Sequence, residues 1–497
     1  MTAIATEKSS LTLYPMHIGG ERVQSSDGSV IDVLNPATEE AIFRVPQGNA
    51  EDAARAALAA RQAFDNGPWP RMTPKERQAV LYRMVDIMER RKSELVDINV
   101  AECGSIKSFA ESGQVGGAIA HLRDTADSMD RVEWEEPSRP HFGNGIGQGL
   151  VLREAYGVAA LISAYNFPLW LNITKLAPAL AAGCTVVLKP ASTTPLEGLI
   201  LADIGEEAGL PAGVLNVITG GRAATYELTT NPNIDMVSFT GSDEVGKQIY
   251  AQATSTLKKV VLELGGKSAN IITEDANLEA VADEVAVHTI KHSGQGCSLL
   301  MRTLVHRSRH DELVELVKQR LENIQVGDPM DPESTMGPLI SADQRERVEA
   351  LIEAGVEEGA RVVFGGKRPQ GLERGYYLEP TLFVDVDNSM RIAREEFFGP
   401  VNVVIPFDTD EEAVQLANDN PYGLSAAVHA KDPLRAYSIA RRLRTGGVVI
   451  NGGGGAFPNT TLPFGGYKAS GLGREYGRWG IDEYLQSKSI SWGISQG

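Results

Sequence analysis

Cysteine is scarce in this sequence. Three cysteines, Cys103, Cys184 and Cys297, stand far apart in 497 residues. An odd number of widely spaced cysteines argues against a disulfide framework, and no CxxC or HExxH spacing supports a zinc site. The first residues, MTAIATEKSS, lack the basic-then-apolar pattern of a signal peptide. We therefore expect a cytoplasmic protein with free thiols and no metal.

Basic residues and long apolar runs are also few. Lysine and arginine number 47 against 65 aspartates and glutamates, for a formal net charge of −18. A chain this acidic repels phosphate backbones, so no nucleic-acid partner is expected. The most apolar stretch, YGVAALISAYNFPLWL, is interrupted by Asn166 and Pro168 and is too short to cross a bilayer. We expect a globular protein of two or three domains without a membrane partner.

Hydrophobic periodicity divides the chain into blocks. Residues 50–65 and 74–129 have helical spacing, the first 50 residues suggest short strands and turns, and 130–150 suggest an irregular or hairpin segment. From about residue 156, β-branched runs alternate with helices, and a second such block extends from SANIITED to GGVVINGGGG. This alternation predicts an α/β fold with a doubly wound parallel sheet and a second α/β domain. The tail, SKSISWGI, is predicted to be a strand that pairs with another subunit.

Polar residues stand at the ends of the predicted strands, where ligands bind in open α/β sheets. Asn166 is either a turn residue or an amide donor to an oxyanion. Lys189 is either a solvated turn residue or a contact to a ribose or phosphate. Gly241 and Ser242 open a helix whose N-terminal N–H groups can bind a diphosphate. Each residue alone is weak evidence for a site.

A carboxylate and a thiol complete the set. Glu263 lies in the apolar run VVLELGGK, so it either faces solvent or lines a cavity that raises its pKa toward the range of a general base. Cys297 follows glycines that leave the backbone open to a ligand. Cys103 and Cys184 instead fit the small buried hydrophobe that free cysteine often is. Thiol, amide, carboxylate and strand–helix turns together describe thiol attack on a carbonyl, hydride loss to a nicotinamide, and hydrolysis.

The order of the short motifs resembles the aldehyde dehydrogenase superfamily, from about residue 17 to 477. The motifs are NPATEE at 35–40, AYNFP at 164–168, KPAS at 189–192, FTGS at 239–242, ELGGK at 263–267, GQGC at 294–297, EP at 379–380, EEFFGPV at 395–401 and PFGGYKASGLGRE at 463–475. The resemblance implies an NAD(P)-dependent, non-acylating enzyme that converts a small-molecule aldehyde to a carboxylate.

The resemblance also implies catalytic roles. Cys297 corresponds to the nucleophile that forms a thiohemiacetal. Asn166, with the backbone N–H of Cys297, corresponds to the oxyanion hole. Glu263 corresponds to the general base that activates water.

Further positions match cofactor contacts of the family. Lys189 corresponds to an adenosine-ribose contact, and Ser242 after Gly241 corresponds to a diphosphate contact. Glu396 and Phe398 match the nicotinamide-ribose contact and its packing partner. The remaining two positions, where the family often has further ribose contacts, are Gln344 and Arg347.

The sequence departs from the family pattern near both substrates. Ser192 stands where many members carry a glutamate that repels a 2′-phosphate, so we expect both NAD and NADP to be used. Tyr165 replaces a commoner tryptophan, which changes packing and not mechanism. A substrate tunnel is expected from Leu171, Thr174, Lys291, Ser298, Phe457 and Pro458. In this set Lys291 fits a solvated surface lysine better than an anchor for an acidic substrate, and no histidine is given a catalytic role.

The resemblance further implies a division into parts and an oligomer. A homodimer or homotetramer is expected, and the substrate itself is not indicated. The parts are a cofactor-binding domain (1–129 and 154–264), a catalytic domain (265–456), an oligomerisation arm (130–153 and 482–497) and a return segment (457–481). Three alternatives remain: a CoA-acylating semialdehyde dehydrogenase, an esterase, and a catalytically silent homologue.

Overall fold

The computed structural model describes residues 11–142, 146–452 and 459–494. Its strands are β1 (Met16–Ile18), β2 (Glu21–Val23), β3 (Val30–Leu34), β4 (Ala41–Pro46), β5 (Glu135–Pro137), β6 (His141–Phe142), β7 (Ile146–Ala155), β8 (Val158–Ile162), β9 (Thr185–Lys189), β10 (Leu215–Val217), β11 (Met236–Thr240), β12 (Lys259–Glu263), β13 (Ala269–Ile272), β14 (Arg302–His306), β15 (Arg361–Phe364), β16 (Thr381–Val384), β17 (Val401–Phe407), β18 (Tyr422–Gly423), β19 (Ser425–His429), β20 (Gly447–Ile450), β21 (Tyr467–Lys468), β22 (Gly471–Leu472) and β23 (Leu485–Ile494).

The helices alternate with these strands through most of the chain. They are α1 (Ala50–Asn66), α2 (Pro74–Arg90), α3 (Lys92–Cys103), α4 (Lys107–Phe109), α5 (Gly116–Ser128), α6 (Pro168–Ala182), α7 (Leu196–Glu207), α8 (Arg222–Thr230), α9 (Asp243–Ala253), α10 (Leu278–Ile290), α11 (His310–Leu321), α12 (Ala342–Glu357), α13 (Arg391–Arg394), α14 (Asp410–Asn418), α15 (Pro433–Ala440) and α16 (Gly477–Glu483).

The largest sheet has the strand order β2-β1-β10-β9-β8-β11-β12-β22. Its five central strands are parallel, and the outer three are antiparallel to their neighbours. Alternate residues of β8 enter different cores: Ala159 and Leu161 pack with α2, α5, α6 and α7, whereas Val158 and Ala160 pack with α1 and α8. Helices therefore cover both faces, as the β-branched runs predict.

A second sheet has the order β15-β16-β17-β14-β13-β19-β20, and every pair except β15 with β16 is parallel. Ile271 of β13 packs with α12 and α15, and its neighbour Ile272 packs with α10 and α11. Two α/β units with helices on both sheet faces confirm the predicted fold class.

The tail forms the predicted strand. β23 lies antiparallel to β7 of the same chain, with Leu485 opposite Ala155 and Ile494 opposite Ile146. It is an edge strand of this sheet among the described residues, and its pairing with another subunit stays a prediction. Tyr156 N–H donates to Tyr484 C=O at 2.9 Å, so the chain leaves α16 already beside the end of β7. β5 and β6 pair with the other edge of β7.

The helical region predicted at 74–129 is several helices. α3 ends before Gly104, which has a left-handed φ of 70°. A Cβ at this position would lie 2.7 Å from Pro36 Cγ, so the close approach of another segment requires glycine. A π-helical turn, Ala110–Val115, then joins α4 to α5. Such turns are frequent at functional sites. None of the described helices is long and apolar enough to cross a membrane.

Candidate active site

One cavity of about 440 Å³ contains all three predicted catalytic residues. Its lining comes from both α/β units and from the segment after β20. Of the predicted cofactor residues, it includes Lys189, Gly241, Ser242, Gln344, Arg347, Glu396 and Phe398. Ser192 is the exception, since its neighbour Ala191 lines the cavity instead.

The register of the large sheet brings the strand-end residues together. Ile162 of β8 is opposite Lys189 of β9, and Thr240 of β11 is opposite Glu263 of β12. Because these strands are parallel, their carboxyl ends meet at one edge of the sheet. Asn166, four residues beyond β8, joins the same edge.

Cys297 is held in a tight turn beside β12. His292 and Ser293 have positive φ values of 47° and 54°, which bend the chain sharply after α10. Gln295 fixes the turn, since its amide donates to His292 C=O at 3.2 Å and accepts from Ile340 N–H at 3.0 Å. The Cys297 thiol is partly exposed in the cavity, whereas Cys103 and Cys184 are buried. All three are free thiols.

Asn166 is anchored by one of its two amide hydrogens. Its Nδ2 donates to Gln295 C=O at 2.9 Å, and its own C=O accepts from Gln114 Nε2 at 2.9 Å. A side-chain amide has two N–H donors, so one remains for a ligand in the cavity. Asn166 therefore has the geometry of an oxyanion donor rather than of a turn residue alone.

Glu263 lines the cavity and does not face solvent. It is 3% exposed, and neither carboxylate oxygen has a hydrogen-bond partner among the described residues. Burial, followed by the charge of Glu475, raises the pKa of Glu263 well above its usual value. Burial, with Glu396 and Glu263 next, also raises the pKa of Cys297, and the backbone N–H of Cys297 opposes this shift. The Cys297 thiol and the Glu263 carboxyl therefore lie in the same cavity, and both are shielded from water.

A buried ion pair near Glu263 was not anticipated from the sequence. Lys175 Nζ of α6 lies 2.8 Å from Glu475 Oε1, with both side chains nearly inaccessible to solvent. Lys175 also donates to Ser238 Oγ at 3.1 Å. Glu475 is the last residue of the motif PFGGYKASGLGRE. Its carboxylate was the one feature of the sequence that could have indicated this ion pair. The positive charge of Lys175 lowers the pKa of Glu263, but by less than burial and the charge of Glu475 raise it.

The opposite part of the cavity offers contacts for a dinucleotide. Ser242 caps α9, whose N-terminus opens into the cavity, and such helix ends bind diphosphates. Glu396 accepts from Gly266 N–H at 2.8 Å, and burial raises its pKa to about 7. Lys189 donates to Gly220 C=O at 3.3 Å, and burial lowers its pKa to about 8. These donors and acceptors fit the diphosphate and two riboses of a nicotinamide dinucleotide.

Other predicted cofactor residues also make hydrogen bonds and ring contacts within the protein. Gln344 Nε2 donates to the C=O groups of Phe397 and Phe398 at 3.1 and 2.9 Å. Phe398, with a positive φ of 52°, packs edge-on against Tyr165 with ring centroids 5.8 Å apart. Ser192 Oγ donates to Gly220 C=O at 3.1 Å. Gln344 therefore holds the Glu396–Phe398 turn, and its ribose contact stays a prediction.

Aromatic residues form the wall beyond Cys297. Tyr476 stacks on Phe464 with ring centroids 4.9 Å apart and accepts from Trp170 Nε1 at 3.1 Å. Leu171, Lys291 and Ser298 line the cavity as predicted, whereas Thr174 is not among its lining residues. Phe457 and Pro458 lie outside the described residues. Gly113 and Phe167 also contribute, although nothing in the sequence pattern indicated them.

Lys291 is not the solvated surface lysine that the sequence suggested. Its side chain lines the cavity, and Nζ lies 5.4 Å from the centroid of the Phe109 ring. Burial lowers its pKa to about 8. The helix α10 ends at Ile290, and Lys291, with φ −54° and ψ 117°, leaves the helical conformation.

Comparisons with known proteins agree with this architecture. The aldehyde dehydrogenase family model matches residues 23–490. An aldehyde dehydrogenase from Mycobacterium tuberculosis complexed with NAD+ is 45% identical, with a TM-score of 0.94, over 97% of this chain and 98% of that one. An NAD-dependent aldehyde dehydrogenase from Sinorhizobium meliloti is 39% identical, with a TM-score of 0.94, over 98% of this chain and 96% of that one.

A third solved structure is a betaine aldehyde dehydrogenase from Staphylococcus aureus in complex with NAD+. It is 36% identical, with a TM-score of 0.93, over 96% of this chain and 94% of that one. At such identity and coverage the likeness extends beyond the fold. The chain belongs to the aldehyde dehydrogenase family.

Proposed function

We propose that this chain oxidises an aldehyde to a carboxylate, with NAD(P)+ as the hydride acceptor and water as the acyl acceptor. The observation that carries the proposal is the common cavity of Cys297, Asn166 and Glu263. A nucleophile, an oxyanion donor and a base within one desolvated space are the parts that acyl chemistry on a thiol needs.

In the first step the sulfur of Cys297 attacks the carbonyl carbon of the aldehyde, and the thiol proton passes to Glu263. The negative charge that develops on the carbonyl oxygen accepts hydrogen bonds from Asn166 Nδ2 and from the backbone N–H of Cys297. These donors are fixed before the reaction, because Asn166 is anchored on Gln295 C=O. Preorganised donors stabilise the developing charge without reorientation.

Bound NAD(P)+ would supply a hydride acceptor, and loss of hydride from the thiohemiacetal carbon would leave a thioester on Cys297. Glu263, after returning its proton to solvent, takes a proton from a water molecule as that water attacks the thioester. The C–S bond breaks, the Cys297 sulfur takes the proton from Glu263, and the product acid leaves as a carboxylate after losing its own proton to solvent. The raised pKa of Glu263 makes it a stronger base for this step.

For the cofactor, we propose that Lys189, Ser242, Glu396 and Phe398 make the contacts that the family resemblance implies. No carboxylate stands at position 192, so a 2′-phosphate meets no like charge there. Both NAD and NADP are expected to support turnover. Ser192→Glu restores the repulsion, and we expect it to lower kcat/KM for NADP about tenfold or more relative to NAD. An unchanged ratio of kcat/KM for NADP to that for NAD would show that residue 192 does not determine the choice of cofactor.

We also propose the division into cofactor domain, catalytic domain and arm stated above, and a homodimer or homotetramer. The two α/β sheets support the first two parts. The arm is supported by the β23-β7-β5 sheet, which exposes Phe142 and Trp492 at 74% and 47%. Free thiols favour a reducing compartment, so we place the enzyme in the cytoplasm. Light scattering on the purified protein measures its oligomeric state.

The test is turnover of an aldehyde panel with NAD or NADP and no CoA, followed by nicotinamide reduction, with Cys297→Ala as the matched inactive variant. We expect Cys297-dependent turnover without CoA. Turnover only after CoA is added would favour the acylating alternative. Ester hydrolysis without cofactor as the main activity would favour the esterase, and no turnover or cofactor binding would favour the silent homologue.

A further inference from the structure

A buried thiol lies behind the oxyanion donor. Cys103 is the last residue of α3, and its side chain is inaccessible to solvent. Its Sγ lies 3.5 Å from the Tyr165 carbonyl oxygen and 3.6 Å from the Asn166 carbonyl oxygen. The same sulfur lies 3.4 Å from His292 Nε2. One thiol therefore contacts both the backbone of Asn166 and the turn that leads to Cys297.

The thiol and the imidazole are both uncharged near pH 7. Burial, followed by the charges of Glu197 and Glu102, raises the pKa of Cys103 well above its usual value, so the thiol keeps its proton. Burial lowers the pKa of His292 to about 4. A neutral histidine carries one ring N–H, and Nδ1 of His292 has no hydrogen-bond partner among the described residues. A proton on Nε2 leaves no ring N–H unpaired, so we assign Nε2–H as donor to the sulfur and S–H as donor to a carbonyl oxygen.

These contacts close a ring of hydrogen bonds beside the reaction centre. Asn166 Nδ2 donates to Gln295 C=O at 2.9 Å, and Gln295 N–H donates to His292 C=O at 3.0 Å. The ring returns from His292 through Cys103 to Asn166 C=O, where Gln114 Nε2 is a second donor at 2.9 Å. Because Asn166 is held at its amide and at its carbonyl, its second Nδ2 hydrogen is fixed in direction.

The conformation of His292 makes this support necessary. Its φ of 47° and ψ of 44° lie in the left-handed region, which a residue other than glycine adopts only where its surroundings hold it. The rings of Phe167 and Phe109 flank the imidazole, with centroids 5.6 and 6.5 Å from its own. The contact with Cys103 is the one hydrogen bond of this side chain among the described residues.

Resting on the proposed function, we propose that Cys103 and His292 are positioning residues, whose contact fixes the amide of Asn166 relative to the turn that carries Cys297. Neither residue lines the cavity, so neither contacts the substrate. Their effect on the reaction passes through the oxyanion donor. Replacing Cys103 should therefore slow the reaction only in an enzyme that still has the Asn166 amide.

The test is a double-mutant cycle on the rate of NADH formation in the first turnover, measured by rapid mixing with saturating NAD+ and aldehyde. Cys103→Val keeps an apolar side chain and removes the donor and the acceptor. It should lower the rate about tenfold in the wild-type enzyme and less than about twofold in Asn166→Ala. Cys103→Ser, which keeps a donor and an acceptor, should recover part of the loss. Equal losses in both backgrounds would indicate a packing defect alone and would overturn the proposal.

Cys184→Val is the matched control. Cys184 is also a buried free thiol that donates to a backbone carbonyl, Tyr484 C=O at 3.5 Å. It directly precedes β9, at the amino ends of the parallel strands and outside the cavity. Cys184→Val should leave the first-turnover rate unchanged. A loss as large as that in Cys103→Val would overturn the proposal, since any buried thiol would then have the same effect.

A second measurement needs no turnover. The infrared S–H stretching band of Cys103, obtained as wild type minus Cys103→Val, should lie at a lower frequency than the band of a thiol without a hydrogen bond. It should shift again in His292→Leu. An unshifted band would overturn the contact and leave the proposed function intact. Absence of NADH formation with every aldehyde in the wild-type enzyme would overturn the proposed function, and the catalytic role of this contact with it.

Discussion

Replacing Gly266 with alanine should displace the nucleophile without touching any reacting group. Gly266 follows β12, and its backbone lies close to the carbonyl group of Cys297. A Cβ built on it would lie 2.3 Å from the Cys297 carbonyl oxygen and 3.4 Å from Leu424 Cβ. Carbon and oxygen normally approach to about 3.3–3.6 Å, so the two backbones must separate by about 1 Å. Both are in a packed interior, where such strain costs about 1–3 kcal/mol.

The catalytic effect and the effect on stability should be of similar size. A displacement of about 1 Å of a reacting group costs on the order of 100-fold in rate. We expect Gly266→Ala to lower kcat about 100-fold and the free energy of unfolding by about 1–3 kcal/mol. The control is Gly447→Ala, where a Cβ has no neighbour within 4 Å. The assay is steady-state NADH formation by both variants. Wild-type kcat in Gly266→Ala would refute the reasoning that this glycine fixes the position of Cys297.

Three further predictions concern the side chains around the reaction centre. Asn166→Ala should lower kcat about 100- to 1,000-fold, the usual effect of losing an oxyanion donor; steady-state kinetics measure this, and an unchanged kcat would contradict it. Lys175→Met should destabilise the fold by about 3–5 kcal/mol because it leaves Glu475 as an unpaired buried charge; urea denaturation measures this, and the double variant with Glu475→Leu should recover much of the loss. Turnover should fall as pH decreases through the raised pKa of Glu263, because only the ionised carboxylate accepts a proton. Its acid limb should therefore lie well above pH 4.5, and a pH–rate profile with full activity at pH 5 would contradict this.

The fold was predictable because two sequence signals agree. Runs such as TVVLK are apolar at every position, which is typical of strands covered on both faces, and glycines and helical periodicity separate them. The sequence did not indicate the partner of the tail strand. Strand pairing depends on where the chain leaves α16, and that position is set by tertiary packing around Tyr484.

Residues of the candidate site could be predicted only where a residue type is unusual for its local sequence. Glu263 in an apolar run and Cys297 among glycines are unusual locally, so each could be singled out. The Lys175–Glu475 pair was not, because its members are 300 residues apart and each alone resembles a surface charge. The burial of Lys291 was not predicted either, because a lysine just beyond a helix end resembles a solvated charge by its residue type.

In the proposed mechanism, a thioester on Cys297 is hydrolysed by water that Glu263 activates. The most direct measurement is rapid mixing of Glu263→Gln with NAD+ and a substrate aldehyde, combined with intact-mass analysis. Because Glu263 also takes the thiol proton, we predict a slow first turnover of about one NADH per functional site, an acyl adduct on Cys297, and steady-state turnover about 100- to 10,000-fold below wild type. Wild-type turnover without an adduct would contradict the account.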